Sequence, residues 1–311
     1  NYILNSEWVD YIAASDEEKL QYDLVPDQYI NLYDDDNIIL GDNDSYPSYY
    51  NLVEEGLATT SRNQGTTGLC WAFAAISSVE SSLLKSSISN INNPLFFSER
   101  QLDYAGVSSK FIVENYNPYY DAGRDTLGAG GYSTTAYDLF STGVSPVTTD
   151  IFGEFNTDVT TLKSLNDVFS IDNVEYQIDG YENIGGVSSS TNDLTRESWI
   201  NQIKKHIMEY GALSISTIGP SPVYAGSCIY YDTSKKNYLL NVLDGDCNPK
   251  NTNNGHAMSI IGWDDNYSYQ YCRLESTTTS DLTGCEDIVS GTGAFILKNS
   301  WGTNTAYPYF A

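Results

Sequence analysis

The spacing of apolar residues changes at Gly211. Before it, Ala72, Ile76, Val79 and Leu83 recur at three- and four-residue intervals and predict a helix that starts at Cys70. Ser98 followed by Gln101 has the form of a capping box and opens a second helix. Residues 132–142 read as a third helix stopped by Gly143, and 195–210 as a fourth closed by Gly211. After Gly211 the period falls to two: residues 212–218 alternate as a half-buried strand, and 257–263 and 293–299 are further strands. Helices first and strands later predict an α+β fold, with a helical lobe, a β-barrel-like lobe and a cleft between them. Residues 265–290, rich in Thr, Ser and Asp, form an insertion between two strands and read as a hairpin.

Composition narrows the classes. With 311 residues and 41% hydrophobic content the chain can bury a substantial core. No stretch approaches the roughly 18 apolar residues of a membrane span, and no leader-like basic and apolar start is present. The net charge of −26 argues against nucleic acid and anionic lipid as partners and favours a monomer kept apart by self-repulsion. Residues 1–44 carry twelve acidic residues against the single base Lys19, with tyrosines interleaved. Within them, residues 6–14 have the pattern of a short helix capped by Ser6.

The candidate chemistry lies in three short runs. Gln64-Gly65-Thr66-Thr67-Gly68-Leu69-Cys70-Trp71-Ala72-Phe73 puts a thiol at a helix start, where the dipole and the free N–H groups stabilise a thiolate. The Gln64 amide can reach round to an oxyanion. A thiolate needs an imidazole to share its proton and a third group to hold that imidazole. His256, in Asn254-Gly255-His256-Ala257-Met258, and Asn299, in Lys298-Asn299-Ser300-Trp301-Gly302, are the candidates. The other histidine, His206, lies on an amphipathic helix away from these runs and reads as structural or exposed.

The order Gln, Cys, His, Asn with these neighbours resembles the papain-like cysteine peptidases. The start at Tyr46-Pro47-Ser48-Tyr49-Tyr50, the run Ser98-Glu99-Arg100-Gln101-Leu102-Asp103 and the pair Gly130-Gly131 extend the resemblance over residues 45–311. It implies that Cys70 is the nucleophile, His256 the base and later the acid, Asn299 the group that orients it, and Trp301 a shield over that bond. Gln64 and the Cys70 N–H would form the oxyanion hole. Gly130 and Gly131 would let substrate pair as an added strand, and Tyr132, Ser216 and Ala257 would line the pocket for the second residue before the cut. The family's cysteines are replaced at Thr67, Gly128 and Tyr104, so its common helical-lobe disulfides are absent. The chain also ends where the family continues in a closing strand, so a piece of a longer protein is expected.

Besides Cys70, the cysteines are Cys228, Cys247, Cys272 and Cys285, without the paired spacing of a zinc site. The simplest reading is two local disulfides, Cys228–Cys247 and Cys272–Cys285, in an extracytoplasmic (secreted or cell-surface) protein. The alternative is four buried thiols in a cytosolic one. The expected function is endopeptidase cleavage of polypeptides through a thiolate–imidazolium pair and an acyl-enzyme, with no metal or organic cofactor. A transpeptidase or processing enzyme with the same residues, or a silent binding or adhesion module, is the alternative. Residues 57–194 should form the helical lobe, and 195–311 with 45–56 the β-rich lobe. Residues 1–44 should be an inhibitory pro-segment over the cleft or a surface strap.

Overall fold

A computed structural model describes residues 46–113, 128–141, 144–153, 155, 176, 178, 181, 183–184, 193–219, 228–232, 237–241, 255–273, 278–279, 283–302 and 309–310. Residues 1–44, with the expected Ser6-capped helix and the pro-segment or strap, lie outside the described residues, as does Cys247. A short strand β1 (Tyr49–Asn51) precedes the helices α1 (Cys70–Lys85), α2 (Glu99–Val113), α3 (Ser133–Ser141), α4 (Thr149–Phe152) and α5 (Asp193–Tyr210). The remaining strands are β2 (Leu213–Ile218), β3 (Ile229–Asp232), β4 (Asn237–Leu240), β5 (Gly255–Arg273), β6 (Thr278–Thr279), β7 (Ile288–Lys298) and β8 (Tyr309–Phe310).

The central helix α1 is buried nearly all round in its first two turns, from Trp71 to Ser77. Val79 and Leu83, which the spacing puts on the buried face, are only half-buried, while Glu80, Ser81 and Leu84 are buried. The helix packs against both α3 and the sheet, so one-sided amphipathicity does not describe it. The start of α2 is capped as its sequence predicts: the Gln101 N–H donates to Ser98 Oγ at 3.2 Å. Gly211 ends α5 with φ +104°, and a Cβ there would meet Ser81 Oγ at 2.6 Å. Only glycine satisfies both the turn and the approach to α1.

The sheet is organised on the 19-residue β5. It pairs antiparallel with β1, β2, β6 and β7, and the order continues from β7 through β8 and β4 to β3. Among the described residues these pairings form an open path and no closed ring. One core joins α1, α2 and α3 around Trp71, Ile76, Phe97 and Leu102; a second packs α5 on the sheet through Ile203, Ile207, Ile260 and Trp263. Each fully buried aliphatic of this kind contributes about 1.5–3 kcal/mol. Ala257 belongs to the helical core although it lies on β5, so the sheet enters the helical half beside His256.

The insertion at 265–290 is built mainly from the outer arms of β5 and β7, which pair from Ser268↔Thr292 to Cys272↔Ile288. Its Tyr267 and Tyr271 pack in a small core with Tyr230 of β3, Leu239 of β4 and Ala294 of β7. A disulfide joins Cys272 to Cys285, and Cys228 is also disulfide-bonded.

Candidate active site

Cys70 is the first residue of α1, and its thiol is the free one among the described residues. Leu69, just before it, accepts the N–H groups of Ala72 and Phe73 through its carbonyl, which closes the first turn. Burial pushes the Cys70 thiol above its usual value, while backbone hydrogen bonding from Ala257, Trp71 and Cys70 itself pulls it down. The helix-start argument predicts a lowered value; burial outweighs it in this state. The Ala257 contact brings the sulfur to the residue that follows His256.

His256 is the second residue of β5, opposite Thr217 of β2, and is 8% exposed. Its Nε2 lies 2.7 Å from Asn299 Oδ1. The Ser300 N–H donates to that same oxygen at 2.8 Å. An atom that accepts a backbone N–H is the amide oxygen, so the imidazole must donate to it. Nε2 therefore carries the hydrogen, and Nδ1 is left unprotonated in the neutral ring. Burial lowers the His256 pKa from its usual 6.5, and the Asn299 bond works against that shift. Trp301 lies against the imidazole, with centroids 5.1 Å apart.

Gln64 is buried and held at both ends: its Nε2 donates to the Thr67 carbonyl at 2.6 Å, and its Oε1 accepts from the Ser300 hydroxyl. The Gln64 N–H also donates to the Ser300 carbonyl at 2.8 Å. Ser300 thus links the Asn299 and Gln64 segments, a connection that sequence reasoning missed. An extra hydroxyl directly after the candidate asparagine was the available signal.

The glycines form a close crossing. The Gly68 N–H donates to the Gly128 carbonyl at 2.8 Å, and a Cβ on Gly68 would lie 2.6 Å from the Gly130 nitrogen. A Cβ on Gly131 would meet the Trp71 indole at 2.9 Å, whereas Gly130 faces open space. Tyr132 is 67% exposed beside it. Across the sheet Ser216 is exposed and pairs with buried Ala257. His206 lies on α5, where Nδ1 is 2.8 Å from the Gln202 carbonyl, outside this group.

The model for the family described as "Papain family cysteine protease" matches residues 46–308. The chain belongs to that family of cysteine proteases. No curated protein matches it. Among solved structures it is similar to the cysteine protease and lectin-like domains of Cwp84, a surface layer associated protein of Clostridium difficile. That match has 20% identity, 86% coverage of this chain, 48% of the other and a TM-score of 0.54. The clostridial cysteine protease Cwp84 after propeptide cleavage matches at 18% identity, 85% and 54% coverage and TM-score 0.51. The bromelain protease from Ananas comosus, bound to an inhibitor, matches at 19% identity, 86% and 90% coverage and TM-score 0.50. The chain thus spans about half the length of the two Cwp84 chains. At such identities the likeness shows the fold.

Proposed function

We propose that the protein is a cysteine endopeptidase in which Cys70 attacks the peptide carbonyl and His256 handles the proton. The observation that carries this reading is the Asn299 oxygen, which accepts from both Ser300 N–H and His256 Nε2 and so leaves Nδ1 free as the base. The thiol proton passes to Nδ1 to give a thiolate–imidazolium pair, and the sulfur then bonds to the carbonyl carbon as its π electrons move to oxygen. The two charges arise together, and their attraction offsets the burial that opposes each one alone. The Cys70 N–H and the second N–H of Gln64 receive the oxyanion. His256 then protonates the leaving amine, and water releases the acid from the thioester while Nδ1 takes its proton.

Gly130 and Gly131 leave backbone accessible for an extended polypeptide to pair along the cleft. Tyr132, Ser216 and Ala257 line the pocket for its second residue before the cut, and small Ser216 and Ala257 make that pocket roomy. The disulfide on the outer hairpin supports an extracytoplasmic location. Residues 1–44 act as a pro-segment over the cleft, so that cutting near Ser45 raises the rate on small peptides. A truncated chain with unchanged turnover and a lower Tm would identify a strap instead.

The test of the core reading is Cys70→Ala beside wild type, with peptide hydrolysis and circular dichroism measured together. Hydrolysis should fall more than about 10⁴-fold with the fold retained. Cleavage at wild-type rates by Cys70→Ala would overturn the assignment.

A further inference from the structure

Beneath the site, four charged side chains are packed together. Glu80 of α1 and Glu99 at the start of α2 are 1% and 0% exposed, and Lys298 at the end of β7 is 7% exposed. Arg62 enters from the segment before Gln64. Its Nη2 lies 2.6 Å from Glu80 Oε1 and 2.8 Å from Glu99 Oε1, and Nη1 donates to the Phe97 carbonyl at 2.9 Å. Glu80 is well satisfied. Its Oε1 also accepts from the Phe97 N–H at 3.0 Å, and its Oε2 from the Thr59 hydroxyl at 2.6 Å. Thr59 in turn accepts from Lys298 Nζ at 2.9 Å.

Glu99 differs. Its carboxylate is met by the Arg62 guanidinium at 2.8 Å and by the Glu99 backbone N–H, whereas Glu80 also draws in Thr59 and Phe97. Its carboxyl lines a small cavity shared with Lys298, Ala257, Asn299 and Ser300. The charged groups that face it are Arg62 from the Gln64 segment, Glu80 from α1 and Lys298 from β7. Arg62 stands two residues before Gln64, and its carbonyl accepts the Gly302 N–H at 3.0 Å. Lys298 directly precedes Asn299. The two cations that Glu99 attracts are therefore on the short segments that carry the oxyanion amide and the imidazole's partner.

We propose that Glu99 is a positioning residue for the peptidase reaction: its negative charge draws Arg62 and Lys298 together and so holds Gln64 and Asn299 in register with Cys70. The proposal rests on the reading of Cys70 as nucleophile. Burial pushes the Glu99 carboxyl up to about 7, with Arg62 pulling it down and Glu80 adding to the rise. Burial likewise brings Lys298 down to about 8. The positioning charge is thus present above about 7, and the site relaxes as Glu99 gains its proton in acid.

Glu99→Gln imitates the protonated carboxyl at every pH. The full chain and this variant are compared from about pH 5 to 9, which spans the reference and shifted values. The readouts are alkylation of Cys70 by iodoacetamide and kcat/KM on a peptide. On the acid side of about 7 the two proteins should react at equal rates; between about 7 and 8 wild type should be roughly 10-fold faster. A ratio that stays constant with pH, whatever its size, overturns the proposal, because a merely structural role moves the rate without moving the profile. If the variant does not fold, infrared titration of wild type decides. A protonated carboxyl band that persists to near neutrality supports the proposal, and its absence overturns it. Retained hydrolysis by Cys70→Ala would instead sink the assignment of the nucleophile.

Discussion

The reactive layer and the charged layer beneath it share the same chain segments but satisfy their polar groups differently. In the reactive layer the partners are neutral dipoles: Asn299 for His256, Ser300 for Asn299 and Gln64, Thr67 for Gln64. Burial drives Cys70 and His256 toward their uncharged forms. In the charged layer Arg62 pairs with Glu80 and Glu99, and the Thr59 hydroxyl bridges Glu80 to Lys298. The difference follows from what each layer must do. Groups that gain and lose charge in a reaction need neighbours that tolerate both states, whereas opposite charges outside the reaction can lock segments together. The first layer should act mainly on rate and the second mainly on stability, with Glu99 reaching the rate through the segments it holds.

Breaking the charged layer should have the largest effect on folding. Glu80→Ala removes the acceptor of Arg62, Phe97 and Thr59 at once. Stripping one partner from a buried ion pair costs about 3–5 kcal/mol. Denaturant unfolding of Glu80→Ala should show a loss of that order, and a loss under about 1 kcal/mol would mean that the layer is not a lock.

The two layers were not equally legible. Cys70, His256 and Asn299 come from three separate segments, but each carries a signature in the residues that flank it. Arg62, Glu80, Glu99 and Lys298 come from four separate segments, and no short window shows them meeting. A trace of it was present, since Glu80 falls between Ile76 and Leu84 in an i, i+4, i+8 row where a lone charge signals a buried partner. Burial also reversed the expected direction at Cys70, because a helix dipole can be inferred from position while desolvation depends on tertiary packing. The strand expected at 257–263 proved to be part of β5, whose burial is continuous from His256 to Trp263 and so hides any alternation. Its outer arm became visible only through pairing with β7.

The pH dependence of stability sharpens the contrast. Glu99 titrates at about 7 in the folded protein, above its usual 4.5. The folded state therefore binds more protons than the unfolded one between those values, and stability from this group is full below about 4.5 and lost as pH rises to about 7. Lys298 at about 8 lies below its usual 10.5, so the unfolded state binds more protons there and stability is regained as pH rises from about 8. Glu99 and Lys298 together should therefore contribute least between about 7 and 8. One group sets a limit of about 1.4 kcal/mol per pH unit. Glu99→Gln should flatten the fall between 4.5 and 7; equal slopes in both proteins would show that Glu99 is already ionised in that range.

In the reactive layer, Asn299→Ala should slow kcat by roughly 10²-fold, because the base loses its orientation while the nucleophile stays. Stability should change less than in Glu80→Ala. An unfolding cost as large as that of Glu80→Ala, with the rate intact, would reverse the contrast between the layers.

The smallest effect should come from Ser300→Ala, which separates the side-chain link from the backbone one. The Ser300 N–H that fixes the Asn299 oxygen remains, since it belongs to the main chain. What disappears is the hydroxyl that donates to Gln64 Oε1. One neutral hydrogen bond contributes about 0.5–1.5 kcal/mol. Gln64 still donates to the Thr67 carbonyl at 2.6 Å, and its main-chain N–H still reaches the Ser300 carbonyl. The amide can therefore swing but not leave. kcat should fall by a few-fold, to roughly 10-fold at most, through the oxyanion hole. The alkylation rate of Cys70, which forms no oxyanion, should stay unchanged. A matching fall in alkylation would mean that Ser300 acts on the thiol and imidazole instead, and the two sides of the site could no longer be treated as separately held.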